Sequence, residues 1–429
     1  MKYPVLIVFS LILSACGGGG GSSNATTTTP TTSPAPAALI QNVSVEQTIP
    51  EFIKNLAVAD INGDGLDDIV MGGWMGNGQS ASIHIFIQNA DGTMTEKTST
   101  WLANNVYGGS NRVLIADFNH DGRPDVILPG YNENNGQIPT RGVVLINNGT
   151  SFTRTDLPDY TIAHGACLGD VNNDGYVDVL VAGGTQGSVG GVYINNHDGT
   201  FTLNQNLINT VTSSNFFSAC AVIKETNGNT EIMFGNTSNV TGYRNNIVVF
   251  DSNFHVLSNT GINALDANGH PTQGSDLINI GTIDANGDGY QDFIGIYNLV
   301  GANATPAYPG DTAATQLFTN NKNSTFSLSQ TLDSAVDNLY YVENITVGGN
   351  PALFIPAAND SQRLYERQNN SLVSVDHTAF YNMALAVGIT SPDARNFAET
   401  TPVVYQNSTT GKYYIFESIN GNWYTYPLQ

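Results

Sequence analysis

Asp60-Ile-Asn-Gly-Asp-Gly-Leu-Asp-Asp68 decides how this chain is read, because the same oxygen-bearing residues return at the same offsets three more times. The copies are Asp117 to Asp125 (DFNHDGRPD), Asp170 to Asp178 (DVNNDGYVD) and Asp284 to Asp292 (DANGDGYQD). Each has Asp first (Asp60, Asp117, Asp170, Asp284), Asn third (Asn62, Asn119, Asn172, Asn286), Asp fifth (Asp64, Asp121, Asp174, Asp288) and Asp ninth (Asp68, Asp125, Asp178, Asp292). A set made only of oxygen donors suits a hard cation, and calcium is the expected occupant. Glycine in sixth place (Gly65, Gly122, Gly175, Gly289) permits the positive-φ turn that wraps the chain round an ion. The main-chain carbonyl of the seventh residue (Leu66, Arg123, Tyr176, Tyr290) would complete the shell. About four calcium ions are therefore expected, in a structural role.

An EF-hand loop begins in the same way, so the twelfth position and the flanks must arbitrate. An EF-hand requires a bidentate Glu at position 12 and a helix on either side. Here position 12 is Met71, Leu128, Val181 or Gly295, none of which chelates through its side chain. The flanks are short apolar runs, such as Leu56-Ala-Val-Ala before the first loop and Ile69-Val-Met after it, and they read as strands. Each loop is expected to join two strands of a hairpin.

The spacing then counts the units. Asp60 to Asp117 is 57 residues, Asp117 to Asp170 is 53, and Asp170 to Asp284 is 114, about two units, so one copy has lost its ligands. That copy is expected at Ala221-Val-Ile-Lys-Glu-Thr-Asn-Gly-Asn-Thr-Glu231, with Ile223 aligned to the first loop position. Two more degenerate copies are expected near Val342 to Phe354 and from Leu385 to Tyr405. A second marker is the tight turn followed by a large apolar residue, as in Asp91-Gly-Thr-Met94, Asn148-Gly-Thr-Ser-Phe152, Asp198-Gly-Thr-Phe201 and Asn420-Gly-Asn-Trp423. It too recurs seven times. Four strands per unit of about 50 to 60 residues predict an all-β chain, a seven-bladed β-propeller of four-stranded antiparallel blades. The segment Val43-Ser-Val-Glu-Gln-Thr48 is expected to add a strand to a terminal blade, with the ring closing between the unit around Ala384 to Thr390 and the first one.

The pairing of D-x-N-x-D-G-x-x-D with D-G-T-F resembles the FG-GAP or VCBS repeats of integrin-α-like propellers, over about residues 42–429. The first three units and the fifth carry the resemblance in full, the other three only in hydrophobic pattern. It implies calcium in a subset of blades, with the calcium loops on one face and the longer, ligand-reading loops on the other.

The chain begins with Lys2, an apolar run from Val5 to Leu13, and then Leu13-Ser14-Ala15-Cys16. The run is too short for a permanent membrane span and ends as a secretory signal does. Cys16 after Leu-Ser-Ala resembles the bacterial lipobox, which implies a lipoprotein signal over 1–16, an acylated Cys16 and an outer-membrane or cell-surface location; Gly17 agrees with the outer membrane. The competing reading is an ordinary signal peptide cut at Ala15. Residues 17–38, five glycines followed by Ser, Asn, Thr and Pro, cannot bury enough apolar surface to fold and read as a flexible linker to a domain over 39–429.

Formal charge is −22, with 14 Lys and Arg against 36 Asp and Glu. So few basic residues supply no stripe for nucleic acid, and an anionic membrane would repel the domain, leaving the lipid anchor as the only membrane contact. The chain is expected to act as a monomer. Cys167 and Cys220 fall on the expected innermost strands of neighbouring blades, where they are either disulfide-bonded or two small buried thiols.

No local catalytic motif is present: there is no H-E-x-x-H, G-x-S-x-G or P-loop, and no catalytic residue is assigned. Propeller hydrolases gather their carboxylates from separate blades, so enzymatic function stays open. On the face opposite the loops the ligand candidates are Trp74, Trp101, Tyr107, Tyr131, Arg141, Tyr243 and Arg244, since aromatic rings beside Asn and Arg suit a sugar or a peptide. Each ring could equally pack beneath its own loop. The function expected is a calcium-stabilised, surface-tethered binding or adhesion module for a protein or glycan. The alternative is a polysaccharide-degrading lyase or glycosidase on the same scaffold.

Overall fold

The loops quoted above sit between strands, and the strands obey a repeating order. The structure, a computed structural model, describes most of residues 43–374 together with 403–407, 412–419 and 422–427. Residues 1–42 and 375–402 lie outside the described residues, as do shorter stretches, chiefly 132–139, 205–216, 237–245, 262–274, 300–314, 334–341 and 356–362. The signal, Cys16, the linker, the strand expected near Leu385, and Tyr243 with Arg244 all fall there. The chain divides into two units, Met1–Ala37 and Ala38–Gln429, and every described residue belongs to the second. No helix among the described residues is long and apolar enough to cross a membrane.

Among the described residues the strands form seven sheets. The first contains β1 (Val43–Ser44), β2 (Phe52–Ala59), β3 (Asp68–Trp74), β4 (Ala81–Gln88), β5 (Met94–Glu96) and β6 (Val106–Tyr107). β2 to β5 lie side by side in chain order, β1 adds in parallel to β5, and β6 pairs with β4. A four-residue helix, α1 (Thr98–Trp101), follows β5 and is a small departure from the expected all-β chain. The second sheet is β7 (Leu114–Ala116), β8 (Asp125–Leu128), β9 (Thr140–Asn147) and β10 (Phe152–Thr161); the third is β11 (Ala163–Gly169), β12 (Asp178–Thr185), β13 (Ser188–Asn195) and β14 (Phe201–Asn204). The fourth is β15 (Phe217–Lys224), β16 (Thr230–Asn236), β17 (Asn246–Phe250) and β18 (Val256–Gly261); the fifth is β19 (Ser275–Ile283), β20 (Asp292–Leu299), β21 (Thr315–Asn320) and β22 (Phe326–Asp333). The sixth is β23 (Glu343–Val347), β24 (Asn350–Ile355), β25 (Arg363–Gln368) and β26 (Ser371–Ser374), and the last is β27 (Val403–Asn407), β28 (Lys412–Ile419) and β29 (Asn422–Pro427). Sheets two to six are four-stranded meanders with each strand antiparallel to the next, the arrangement of β-propeller blades.

Central strands carry continuous apolar runs because their sheets are covered on both sides. Ile69, Val70 and Met71 are fully buried, as are Val126, Ile127 and Leu128. Alternate residues of each run enter different interfaces. Val70 packs with Val126, Leu128, Val143 and Leu145 of the second sheet, while Ile69 and Met71 pack with Phe416 and Trp423 of the last. Further apolar layers join the second and third, third and fourth, fourth and fifth, and fifth and sixth sheets. The contact between the first and last sheets is aromatic: Phe86 lies 5.3 Å from Phe416 and 6.2 Å from Trp423 between ring centroids. Val43 of β1 joins the same layer. Each such aromatic side chain contributes about 1.5 to 3 kcal/mol by burial.

First strands of successive sheets lie against one another, β7 with β11, β11 with β15, β15 with β19 and β19 with β23. Glycine permits the approach, since a Cβ on Gly165 would stand 2.3 Å from the Ser218 carbonyl oxygen and one on Gly169 would stand 2.4 Å from Val222. The alignment of the degenerate fourth loop needs one correction. Gly169 pairs with Asp178 at the mouth of the third loop, whereas Lys224 pairs with Thr230 in the fourth sheet. Glu225, not Ile223, therefore occupies the first loop position, and the loop is shorter by three residues, running 225–229 against 170–177.

Candidate metal centres

The four oxygen-rich loops share one hydrogen-bond scheme, built on the first Asp. In the first loop, the Gly63 and Asp64 amides donate to Asp60 Oδ1 at 2.7 and 3.0 Å and the Gly65 amide to Asp60 Oδ2 at 2.8 Å. The fifth residue's amide also donates to the Asn side chain, Asp64 N to Asn62 Oδ1 at 2.8 Å, and the seventh residue's amide to the fifth carboxylate, Leu66 N to Asp64 Oδ1 at 2.8 Å. The contacts made by the fifth, sixth and seventh amides recur at Asp117, Asn119 and Asp121, at Asp170, Asn172 and Asp174, and at Asp284, Asn286 and Asp288, all between 2.9 and 3.1 Å, and the fourth-residue amide contact recurs at Gly287 and Asp284 at 2.7 Å. Short Asp and Asn side chains that accept from amides a few residues ahead hold the chain in a tight coil. The sixth-position glycines supply the required φ, +85° to +93°.

The ninth Asp has a different task. Asp68, Asp125, Asp178 and Asp292 are fully buried. One oxygen of each accepts the amide of the second loop residue, from Ile61, Phe118, Val171 and Ala285 at 3.0 to 3.1 Å. The other accepts the amide that ends the third strand of the same sheet, from Gln88, Asn147, Asn195 and Asn320 at 2.7 to 2.9 Å. Burial pushes the Asp68 carboxyl up to about 7 and those of Asp125 and Asp178 to about 6, with the amide hydrogen bonds pulling the other way; Asp292 is raised for the same reason. A divalent cation at the loop would favour the ionised form instead.

The residue that meets the ninth Asp was not singled out from the sequence, although the dipeptides Asn147-Asn148, Asn195-Asn196 and Asn320-Asn321 were there to be seen. Its amide group clasps two sheets together. Asn147 Nδ2 donates to the Ile61 carbonyl of the preceding sheet at 2.8 Å and to the Pro124 carbonyl at 3.1 Å. Asn195 Nδ2 donates to Phe118 at 2.8 Å and Val177 at 3.1 Å. In the first sheet Gln88 replaces Asn, and its Nε2 reaches the Asp67 carbonyl at 2.7 Å.

Cationic and aromatic side chains gather at the loop rims. Arg123 pairs with Asp121, His197 with Asp174 at 2.9 Å, Lys224 with Asp170 at 3.7 Å, Lys322 with Asp288 at 3.2 Å and Arg367 with Asp284 at 3.6 Å. Tyr176 is stacked between His120 and His197, with centroids 3.9 and 4.0 Å away, and Lys322 lies 4.8 Å over the Tyr290 ring. Among the described residues, no three His, Cys, Asp or Glu side chains already converge as a closed cage. The donor set still fits a hard cation in kind: carboxylate and amide oxygens dominate each loop, and a carboxylate with about four lone-pair sites can accept two or three amides and keep one for a metal. Asp60, Asn62, Asp64 and Asp68, with the Leu66 carbonyl, would hold the ion in the first loop, and their counterparts in the other three.

The family comparison covers the first two of these loops. Residues 52–128 match the family model described as an FG-GAP-like repeat. The match runs from the start of β2 to the end of β8 and so spans the loops at Asp60 and Asp117. Among curated proteins none matches the chain.

The opposite ends of the strands carry the other candidates. Tyr107 and Tyr131 are buried, 5% and 2% exposed; Tyr107 Oη donates to the Gly73 carbonyl at 2.8 Å and Tyr131 packs edge-on to His164. Neither presents a ring face to solvent: Tyr107 turns inward against β3 and Tyr131 against β11. Trp101, on α1, is half-buried against Phe152 at 5.8 Å, and since Phe152 pairs with Asn147 beside the second loop, Trp101 is not at the opposite end with the others; Arg141 is exposed on β9. Trp74 ends β3, its side chain outside the described residues. Cys167 on β11 and Cys220 on β15 are joined as a disulfide across the third and fourth sheets, with Cα atoms 5.8 Å apart.

Proposed function

We propose that Ala38–Gln429 is a closed seven-bladed propeller serving as a binding module, held at a bacterial surface by a lipid on Cys16 and stabilised by Ca²⁺ in the loops at Asp60, Asp117, Asp170 and Asp284. The observation that carries this reading is the repetition of one loop geometry in four sheets, together with the FG-GAP-like match over the first two. Seven sheets in chain order, with Phe86 packed on Phe416 and Trp423, support seven blades and a closed ring.

In this reading the ion supplies positive charge at a cluster of carboxylates, and the protein's own residues do the rest. The first, third and fifth side chains coil the loop, the ninth Asp ties it to the third strand, and the Asn clasp ties that strand to the sheet before it. All of these groups lie at the ends where the first strand meets the second and the third meets the fourth. Alternation along a meander sends the remaining connections to the other end, and a protein or glycan is read there, where Arg141 is exposed. The sequence of the chain from Val5 to Cys16 supports export and anchoring.

Glycan and peptide arrays probed with the Ala38–Gln429 unit, with and without chelator, test the reading. Binding to a defined ligand class, weakened by Arg141→Ala, is expected. Turnover of a polysaccharide without such retention would instead favour the lyase or glycosidase.

A further inference from the structure

The fourth sheet lacks the nine-residue loop, and what replaces it leaves two carboxylates inside the protein. The β15–β16 connection is a tight turn, closed by the Glu225 amide on the Asn229 carbonyl at 2.8 Å and the Gly228 amide on the Glu225 carbonyl at 2.9 Å. Thr230 stands where the other loops have their ninth Asp, and its hydroxyl donates to Asn173 Oδ1 at 2.9 Å. Glu225 and Glu231 flank this turn and are 7% and 6% exposed. Each is held through one oxygen by the same turn of the fifth sheet. Asn320 Nδ2, which in the second and third sheets would clasp a carbonyl, donates to Glu225 Oε1 at 2.7 Å, and Ser324 Oγ donates to Glu231 Oε1 at 2.5 Å.

The second oxygens, Glu225 Oε2 and Glu231 Oε2, are buried and meet no hydrogen-bond donor. Carboxylates cut off from water are strongly unfavourable unless a donor or a cation meets them. The neighbouring lysines are engaged elsewhere, Lys224 with Asp170 and Lys322 with Asp288. Burial pushes the Glu225 carboxyl up, and its pair partner Glu231 together with Asp288 and Asp292 of the fifth sheet's loop push it the same way.

The geometry points to a cation site between the Glu225–Asn229 turn and the Asn320–Thr325 turn, in which Glu225 Oε2 and Glu231 Oε2 hold a hard divalent ion. Donors here are oxygen alone, with no Cys or His among the residues that grip the two turns, and that chemistry selects an ion of the calcium class. The fourth sheet thus lost the nine-residue loop and regained a cation site of another design, with its two carboxylates on one hairpin and their support on the next sheet. An ion there joins the fourth and fifth sheets in place of the Asn-to-carbonyl clasp used by their neighbours.

Metal-stripped full chain is dialysed to equilibrium against Ca²⁺, and bound ions per chain are counted by elemental analysis. The Glu225→Gln/Glu231→Gln variant, which keeps an acceptor for Asn320 and for Ser324, is expected to hold one ion fewer than the unchanged chain. Equal counts overturn the proposal. Asp64→Ala and Asp121→Ala report on the nine-residue loops separately, so failure of the loop reading shows in those variants and failure of this site in the Glu pair. Should the double variant not fold, infrared spectroscopy of the unchanged chain in saturating Ca²⁺ decides. A carboxylic-acid carbonyl band at neutral pH that is lost in Glu231→Gln would show a proton in the ion's place and overturn the proposal; absence of that band agrees with a bound ion.

Discussion

Asn195 and Asn196 stand side by side and have opposite stakes. Asn195 is buried and closes three contacts with one amide group, two as donor to Phe118 and Val177 and one as acceptor from the His197 amide. Asn196 is exposed and bonds only Thr200 and Thr202. Replacing Asn195 by Leu strands two buried carbonyls and an amide, at about 1 to 3 kcal/mol for each group that finds no water. We expect Asn195→Leu to lower the unfolding free energy measured in urea severely and Asn196→Ala to lower it by no more than about 1 kcal/mol; equal effects would remove the clasp from the account. The ninth Asp residues give a pH dependence whose sign follows from burial. In the metal-free chain the Asp68 carboxyl sits at about 7 against 3.8 unfolded, so its contribution to stability is complete below 3.8 and is lost as pH rises through about 7. Asp125 and Asp178 act alike near 6. Groups held low, such as Glu96 and Asp251, work the other way and lose their contribution as pH falls through their folded values. Metal-free protein should therefore melt higher at pH 5.5 than at pH 8, and Asp68→Asn should flatten part of that slope; calorimetry in chelator checks both.

At the scale of strands and loops, the Cys167–Cys220 bond crosses between two first strands that glycine already allows to touch. It closes a loop of 53 residues, for which loop-closure entropy gives about 4 kcal/mol, with 2 to 4 kcal/mol usual in practice. Reduction, or Cys167→Ser with Cys220→Ser, should lower the unfolding free energy measured in urea by that order and leave the strand signal in circular dichroism intact. A native protein whose mass is unchanged by reductant would show two free thiols and defeat the expectation. β1 is the other element with a role beyond its length. Its neighbour Glu46 accepts from the Ser99 amide and hydroxyl at 2.8 Å and donates its own amide to Glu96 Oε2 at 2.6 Å, so the chain is pinned to the first sheet just before it enters β2.

For the whole molecule the question is what balances its charge. A formal −22 is concentrated in part in four loops, and four Ca²⁺ would bring it to −14. An ion that binds only the folded chain stabilises it by mass action, about 2.7 kcal/mol at a hundredfold excess over Kd. On the proposed reading chelation should lower the melting temperature markedly, and Asp64→Ala or Asp121→Ala should lower it in part while ligand affinity of the folded protein is retained. Calorimetric titration of stripped protein should reveal about four loop sites. Loss of binding on chelation with no change in melting temperature would move the metal from the scaffold to the ligand site.

The nine-residue loops, the strands that flank them and the four-stranded antiparallel unit were legible because each depends on residues close together in the chain: ligand spacing, a glycine at a positive-φ turn, and apolar runs of strand length. Contacts between sheets were not legible. The same Asp-x-Asn-x-Asp string does not say that its ninth Asp is buried and spends its oxygens on amides 7 residues behind and about 20 residues ahead. Nor does an aromatic residue in a loop sequence say which way its ring turns, and Tyr107 and Tyr131 turned inward. The fourth loop illustrates the same limit, for the hydrophobic pattern alone aligned Ile223 where strand pairing sets Glu225. Local chemistry is written in neighbouring residues, but burial, and with it the charge state and task of a carboxylate, is decided by what the next sheet lays against it.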